Sequence, residues 1–367
     1  MTKVLENLRR CWTSLDKWIF FSTLLLMIIG IFLTLSSSVI YSNKLNISDN
    51  YLIKKHLLIL PLSIFIILFL SNLSTEKIVI FSFLTFSIFL ILSLMPYFLS
   101  SEVKGANRWI NIFNFSVQPS EFLKPTFVIV TSTLLSRFQK KHDNSLKINI
   151  SILILIGIVL FIQPDFGMFL LIFLTWFLQL TLFGISIKVI FLLILVGLIT
   201  MTFAYFSLSH VKFRIDSFFN FSYGDNYQAH KSIDSFTSGG FFGQGIGAGK
   251  ISPYLPDVYS DFILSLAAEE LGLIFVIFII TIYSFIFLRS IYHSKKKKDL
   301  FLFLSISGLA IIFILQAIIN IFSTLNLIPT KGMTLPFLSY GGSSLLSCAI
   351  LIGFILSLSK EKYNERE

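Results

Sequence analysis

The 367-residue chain is 55% hydrophobic and only 13% charged, with 42 phenylalanines and a mean hydropathy of +0.84. No soluble fold of this size could hide so much apolar surface, so the composition excludes a soluble domain and implies a polytopic membrane protein. The net charge of +10 does not indicate nucleic-acid binding, because Lys and Arg sit between apolar runs, and the two cysteines, Cys11 and Cys348, exclude a disulfide framework and a Cys-based metal site.

A spanning helix needs ~20 apolar residues. Ten runs are candidates, the second of them short: 18–40, 56–71, 78–99, 118–136, 148–163, 165–182, 188–208, 260–289, 300–324 and 335–358. The first is too long for a signal-peptide core and no A-x-A site follows it, so it is expected to stay as a span. The fifth and sixth are broken only at Gln163-Pro164-Asp165, where proline forces a tight turn at one membrane face. The expected fold is all-α: a polytopic membrane helix bundle of about ten transmembrane helices in a single domain over 1–367. One large extracytoplasmic loop, 209–259, separates helices 7 and 8.

An even number of spans puts both ends on one side. The whole excess of +10 falls on the side holding the termini and the loops near 72–77, 137–147, 183–187 and 290–299, while the other side is neutral. The positive-inside rule makes the basic face cytoplasmic. The Lys295–Lys298 run then reads as a topology and lipid-contact signal.

Ionisable groups in a membrane are costly, so each is a functional candidate. Glu121, Lys124, Asp165, Asp261, Glu269, Glu270 and Lys331 all lie nearer the outer face. That asymmetry suggests a polar cavity opening outward above a dry inner half. Asp261 opens the eighth run, where a carboxylate either faces the outer aqueous edge and takes a proton or caps the helix. Glu269 and Glu270 follow ~12–13 Å further along a helix, too far to pair with Asp261 on one bond, and are expected to hold the bundle through Lys or backbone groups. Lys104 and Arg108 are loop charges or ligands. Glu121 and Lys124, one turn apart, form an i,i+3 pair or leave a Lys for a phosphate.

The Gly-rich stretch from Ser238 to Lys250 is not a P-loop, since Gln244 and Ile251 replace the required Gly and Ser/Thr. A close-packed re-entrant loop is expected instead. Ser343 and Ser344, in Tyr340-Gly341-Gly342-Ser343-Ser344, mark a small-residue packing site or a binding site. The histidines show no metal-ligand spacing.

Several motifs follow one another along the chain: Asn107-Arg108-Trp109-Ile110, Gln118-Pro119-Ser120-Glu121 with Lys124, and Gln163-Pro164-Asp165-Phe166-Gly167. After the Gly-rich loop come Leu255-Pro256, Ser260-Asp261-Phe262, Glu269-Glu270-Leu271-Gly272, Pro329-Thr330-Lys331-Gly332 and Ser339–Ser344. In this order the chain resembles the SEDS family of bacterial cell-wall polymerases, over essentially its whole length. Pro329-Thr330-Lys331-Gly332 is similar to the division-type rather than the elongation-type members.

The resemblance implies a peptidoglycan glycosyltransferase that polymerises lipid II, the undecaprenyl-diphosphate-linked disaccharide peptide, at the outer face of the bacterial cytoplasmic membrane during division. Asp261 then matches the family's essential acid, the general base of an inverting transfer. Arg108, Lys124, Lys250 and Lys331, with Glu121 beside Lys124, are candidates to bind the diphosphate, and Asp165, Glu269, Glu270, Ser343 and Ser344 are supporting residues. A divalent cation (Mg or Mn) can share the task, and no organic cofactor is implied. The implied partners are a class B penicillin-binding protein transpeptidase and other division proteins, at the septum, with no nucleic acid. A lipid II flippase and a non-catalytic scaffold are the competing readings. A flippase calls for polar sites near the midplane and often a repeat, and a scaffold has no need of intramembrane Asp261, Lys124 and Lys331. One departure from the family pattern stands out: Val258-Tyr259-Ser260 replaces the usual His-containing segment before the Asp. Tyrosine does not titrate near neutral pH, so a different pH profile is expected.

Overall fold

The computed structural model describes residues 13–45, 51–99, 108–112, 115–141, 143–219, 226–329 and 332–360. Among these, ten long helices follow the ten apolar runs: α1 (Lys17–Leu45), α2 (Tyr51–Ser71), α3 (Thr75–Leu99), α4 (Pro119–Lys141), α5 (Ser145–Ile162), α6 (Phe166–Phe183), α7 (Ile187–Ser207), α10 (Ile263–Lys295), α11 (Leu300–Thr324) and α12 (Gly342–Ser359). Two shorter helices, α8 (Ser209–Phe219) and α9 (Asn226–Gly239), lie between α7 and α10. Nine of the long helices are apolar and long enough to cross a membrane among the described residues. The tenth, α4, carries Glu121 and Lys124 and is buried along Pro119–Ser136 except for Thr133. Other helices shield it from lipid, which is how a polar span is accommodated.

Local sequence sets the helix ends. Pro119 opens α4, where its missing N–H costs nothing. Asp299 caps α11 by accepting from the Phe301 amide at 2.9 Å. Gly184 closes α6 with φ 91°, a left-handed conformation that glycine adopts without a steric penalty.

Several of the expected boundaries shift, among them three helix starts. The second span begins at Tyr51 rather than 56, because Lys54, Lys55 and His56 are helical. The eighth begins at Ile263 rather than 260 and runs to Lys295. The tenth begins at Gly342 rather than 335, because Pro336 and a turn bonded by Ser339 interrupt the apolar run: Ser339 Oγ accepts from the Leu335 amide at 2.8 Å. A small antiparallel hairpin, β1 (Ile110–Ile112) and β2 (Phe115–Val117), pairs Ile110 with Val117 beside the start of α4.

The helices nest around α4, α11 and α12. α11 packs on α4, α6, α10 and α12, and α12 lies along α2. The inner half is not purely apolar: α4, α5 and α6 share a buried amide network there. Thr131 Oγ1 donates to Gln179 Oε1 at 2.9 Å, Gln179 Nε2 to Ser132 Oγ at 3.0 Å, and Asn149 Nδ2 to the Thr131 carbonyl at 3.3 Å. Such amides join helices where lipid offers no competing partner.

At the Lys-rich end, Asp16 caps α1 through the Trp18 and Ile19 amides, both at 3.0 Å. It also takes Arg289 Nε at 2.9 and 2.7 Å and His293 Nε2 at 2.5 Å from the end of α10. Burial pushes this carboxyl up, but His293, the Ile19 amide and Arg289 outweigh it and hold the pKa at about 2.

Candidate functional site

Asp261 lies in the tight turns that follow the 3-10 turn Ser252–Tyr254, two residues before α10. The N-cap position belongs to Phe262, so the capping role open to Asp261 in the sequence falls to a residue with no polar side chain. The aspartate is half-buried. Its backbone is held on both sides: its amide donates to the Asp257 carbonyl at 3.0 Å, and its carbonyl accepts from Asn320 Nδ2 at 2.9 Å. A side chain at Gly332 would place Cβ 3.3 Å from Asp261 Oδ2. The segment after Lys331 therefore passes against the carboxylate itself. Lys331 and Lys104 lie outside the described residues.

Tyr259 stands beside the acid. Its ring meets Tyr41 edge-on at 4.9 Å and Tyr340 at 5.9 Å, and its hydroxyl donates to Asp257 Oδ1 at 3.3 Å. Burial, then the charges of Asp257 and its neighbours, raise its pKa further above the ordinary tyrosine range. It is a fixed donor that stays protonated.

The buried cation is Lys124. Its Nζ lies 2.7 Å from Glu121 Oε2 and donates to Gln316 Oε1 at 2.6 Å, with only 3% of the side chain exposed. This is the i,i+3 pair, but buried, so removing either partner would strand the other charge. Ser343 and Ser344 sit in the first turn of α12. Ser343 Oγ accepts from the Gln118 amide at 2.9 Å, and Ser344 Oγ accepts from Thr334 Oγ1 at 2.7 Å. Ser347 Oγ donates to the Glu121 carbonyl at 2.7 Å.

Arg108 meets the 163–165 turn. It lies 3.6 Å from Asp165 Oδ1 and donates to the Gln163 and Pro164 carbonyls. Asp165 also caps α6 through the Met168 amide at 3.3 Å and accepts from Gln118 Nε2 at 3.0 Å. Lys250 is exposed on the Gly-rich loop.

Glu269 and Glu270 clamp that loop through backbone groups and not through Lys. Glu269 accepts from the amides of Lys250, Ile251 and Ser252, each at 2.7 Å. Glu270 accepts from the Gly247 amide at 3.0 Å and from the Ser36 hydroxyl. The fit requires two glycines with positive φ. A Cβ at Gly243 (φ 80°) would lie 2.2 Å from the Glu270 carbonyl oxygen, and one at Gly272 (φ 84°) would lie 2.4 Å from that of Phe241.

The fold thus gathers Asp261, the Gly332 strap, Lys124 with Glu121, and the first turn of α12. It sets Arg108 and Asp165 against their own turn, and Lys250 on the clamped loop. Two further residues, Gln316 and Asn320, connect the first group and were missed by a search for ionisable side chains. Their signal was present: two amides one turn apart inside an apolar span.

Comparison with known proteins decides the family. The FtsW/RodA/SpoVE family model, described as cell cycle protein, matches residues 16–364. The chain belongs to this family. Its FtsW relatives include the "Probable peptidoglycan glycosyltransferase FtsW" of Caulobacter vibrioides, 33% identical over 353 residues, covering 96% of this chain and 90% of that protein. The protein of the same name from Coxiella burnetii is 34% identical over 367 residues, covering 96% and 98%.

The fold agrees with the family. A chain solved in a study of structural coordination of polymerization and crosslinking by a peptidoglycan synthase complex superposes with a TM-score of 0.77. It is 21% identical and covers 96% of this chain and 99% of its own. The Thermus thermophilus rod shape determining protein RodA superposes at 0.69 with the same identity and coverage. The FtsW relatives match the division-type reading of the Pro-Thr-Lys-Gly segment.

Proposed function

We propose that this chain is a division-type peptidoglycan glycosyltransferase that polymerises lipid II at the outer face of the bacterial cytoplasmic membrane. The observation that carries the reading is Asp261: a half-buried carboxylate in the turn before α10, held by Asn320 and faced by Gly332. The names of its FtsW relatives support the same activity.

In this reading Asp261 removes the proton from the acceptor sugar hydroxyl. The oxygen attacks the anomeric carbon of the donor, and the bond to undecaprenyl diphosphate breaks with inversion. One base suffices, since diphosphate leaves without a general acid. Arg108, Lys124, Lys250 and Lys331 are the cations that offset the charge on the diphosphate in this reading, Lys124 and Arg108 while paired with Glu121 and Asp165. These side chains would share that task with a divalent cation (Mg or Mn) held by a carboxylate and the diphosphate itself.

A single-span class B penicillin-binding protein, which crosslinks the strand, is the proposed partner, alongside other division proteins at the septum. The test is polymerisation of labelled lipid II by the purified chain with that partner. Asp261→Asn is expected to lower turnover by about 10²–10⁴-fold while membrane insertion and partner binding survive. Equal polymer from both proteins would remove Asp261 from the reaction. No polymer from the wild type with its partner bound would leave the flippase or scaffold reading.

A further inference from the structure

We infer that Asn320, with Gln316 one turn before it on α11, is a positioning residue that fixes the catalytic acid relative to the buried cation. The inference rests on Asp261 acting as the base.

Both amides are buried inside the bundle. Four residues apart on a helix, they face the same way and sit ~6 Å apart along the axis. Asn320 Nδ2 donates to two carbonyls from different segments, Asp261 at 2.9 Å and Met333 at 2.6 Å. One amide therefore ties the turn that carries the acid to the strap that begins at Gly332. Gln316 repeats the arrangement one turn away. Its Oε1 takes Lys124 Nζ at 2.6 Å, while its Nε2 donates to the Thr334 carbonyl at 3.0 Å. The strap residues 333 and 334 are thus bonded to the acid's anchor on one side and the cation's anchor on the other.

This geometry has a chemical consequence. Asp261 and Lys124 come from segments 137 residues apart in sequence, and both are bonded to the same helix, α11. Their separation is set by a rigid helical ruler. An aspartate anchored through its own backbone carbonyl keeps its side-chain rotamers, but its main chain cannot shift relative to the strap and α11. A displacement of ~1 Å at such a group can cost 10²-fold in rate. A residue needed only for folding would instead reduce activity in step with the folded fraction.

The test uses the purified chain with its transpeptidase partner and labelled lipid II. Asn320→Asp replaces the donor amide with a carboxylate facing two carbonyls, and Asn320→Gln keeps the amide but displaces it by one methylene. Gln316→Leu removes the Gln316 bond to Lys124, which keeps its Glu121 partner, and leaves the Asn320 bond to Asp261 in place. Folded fraction is followed by size exclusion and thermal midpoint. Per folded molecule, Asn320→Asp is expected to lose ~10²-fold in kcat, with KM for lipid II within about threefold, and the acid limb of its pH–rate profile moves. Asn320→Gln is expected to lose ~10-fold with the limb moved in the same direction. It decides the matter if Asn320→Asp does not fold. Gln316→Leu lowers turnover with the limb unmoved.

Wild-type kcat and pH profile per folded molecule in Asn320→Gln and Asn320→Asp would overturn the inference. So would losses that track folded fraction with an unmoved limb. Wild-type turnover by Asp261→Asn is a different result: it sinks the base reading itself, whatever the Asn320 variants do. A dead Asp261→Asn with fully active Asn320 variants sinks the positioning role alone.

Discussion

Two spans of this molecule are both apolar enough to cross a membrane and live in opposite surroundings. α7 has a mean hydropathy of 2.6 and only 6% of its residues are buried; α12 has 1.9 and 83%. Hydropathy therefore says that each crosses the membrane and nothing about where it sits. Small and hydroxyl residues make the difference. In α12, Ser343, Ser347 and Ser357 bond to the Gln118 amide and to the Glu121 and Leu73 carbonyls of other segments. Gly353 lets α2 approach so closely that a Cβ there would lie 2.9 Å from that of Leu70. In α7, Thr200 and Thr202 turn back on their own helix, bonding the Val196 and Leu198 carbonyls. Helices associate in lipid by packing and interhelical hydrogen bonds, since apolar surface is already satisfied by the acyl chains.

The contrast sharpens most in the packed helix. Leu351→Ala in α12 opens a cavity at a buried position. It is expected to cost about 2 kcal/mol, near the low end for Leu→Ala, because lipid removes most of the transfer cost and leaves the packing loss. A thermal midpoint in detergent or nanodiscs checks it. Glu269→Gln is next in size. It takes one charge from three amide bonds, so local opening of the 247–252 segment should become easier by about 1–3 kcal/mol. Amide hydrogen exchange reads that directly, with the global midpoint nearly unchanged.

A smaller effect is expected at the Lys-rich end. Asp16 has its pKa held at about 2 against an ordinary 3.8. A carboxyl lowered in the folded state contributes stability that is full above about pH 4 and lost as pH falls through about 2. The wild-type thermal midpoint should fall over that window. Asp16→Asn keeps the helix cap but not the charge, so its midpoint should be lower at pH 7 and flatter between pH 4 and 2.

The same contrast explains what the sequence made legible. Runs of apolar residues placed all ten long helices, because length and hydropathy are local properties. Asp261, Lys124 and the two glutamates stood out because charge in a membrane is costly. The partners of those charges did not. That Glu269 grips three loop amides depends on a fold-back through Gly243 and Gly272, which no periodicity encodes. Gln316 and Asn320 were passed over because amides titrate nowhere and so carry no cost signal as strong as a charge, although in lipid they too must find partners. The start of α12 was misplaced for a related reason: the apolar run continues through 335–341, but Pro336 and the Ser339 bonds fix that stretch as a strap across the site.

The smallest effect belongs to α7. Leu195 is 53% exposed on a helix whose one buried side chain among the described residues is Ala204. If that surface faces lipid, Leu195→Ala exchanges one lipid-solvated side chain for another in both the folded and unfolded states. The expected change is below about 0.5 kcal/mol, measured in the same assay as Leu351→Ala. The same substitution in two membrane-spanning helices should thus differ severalfold in cost, and the more apolar helix should lose less. A Leu195→Ala loss as large as that of Leu351→Ala would break the comparison, since it would require α7 to be packed against another helix in the membrane.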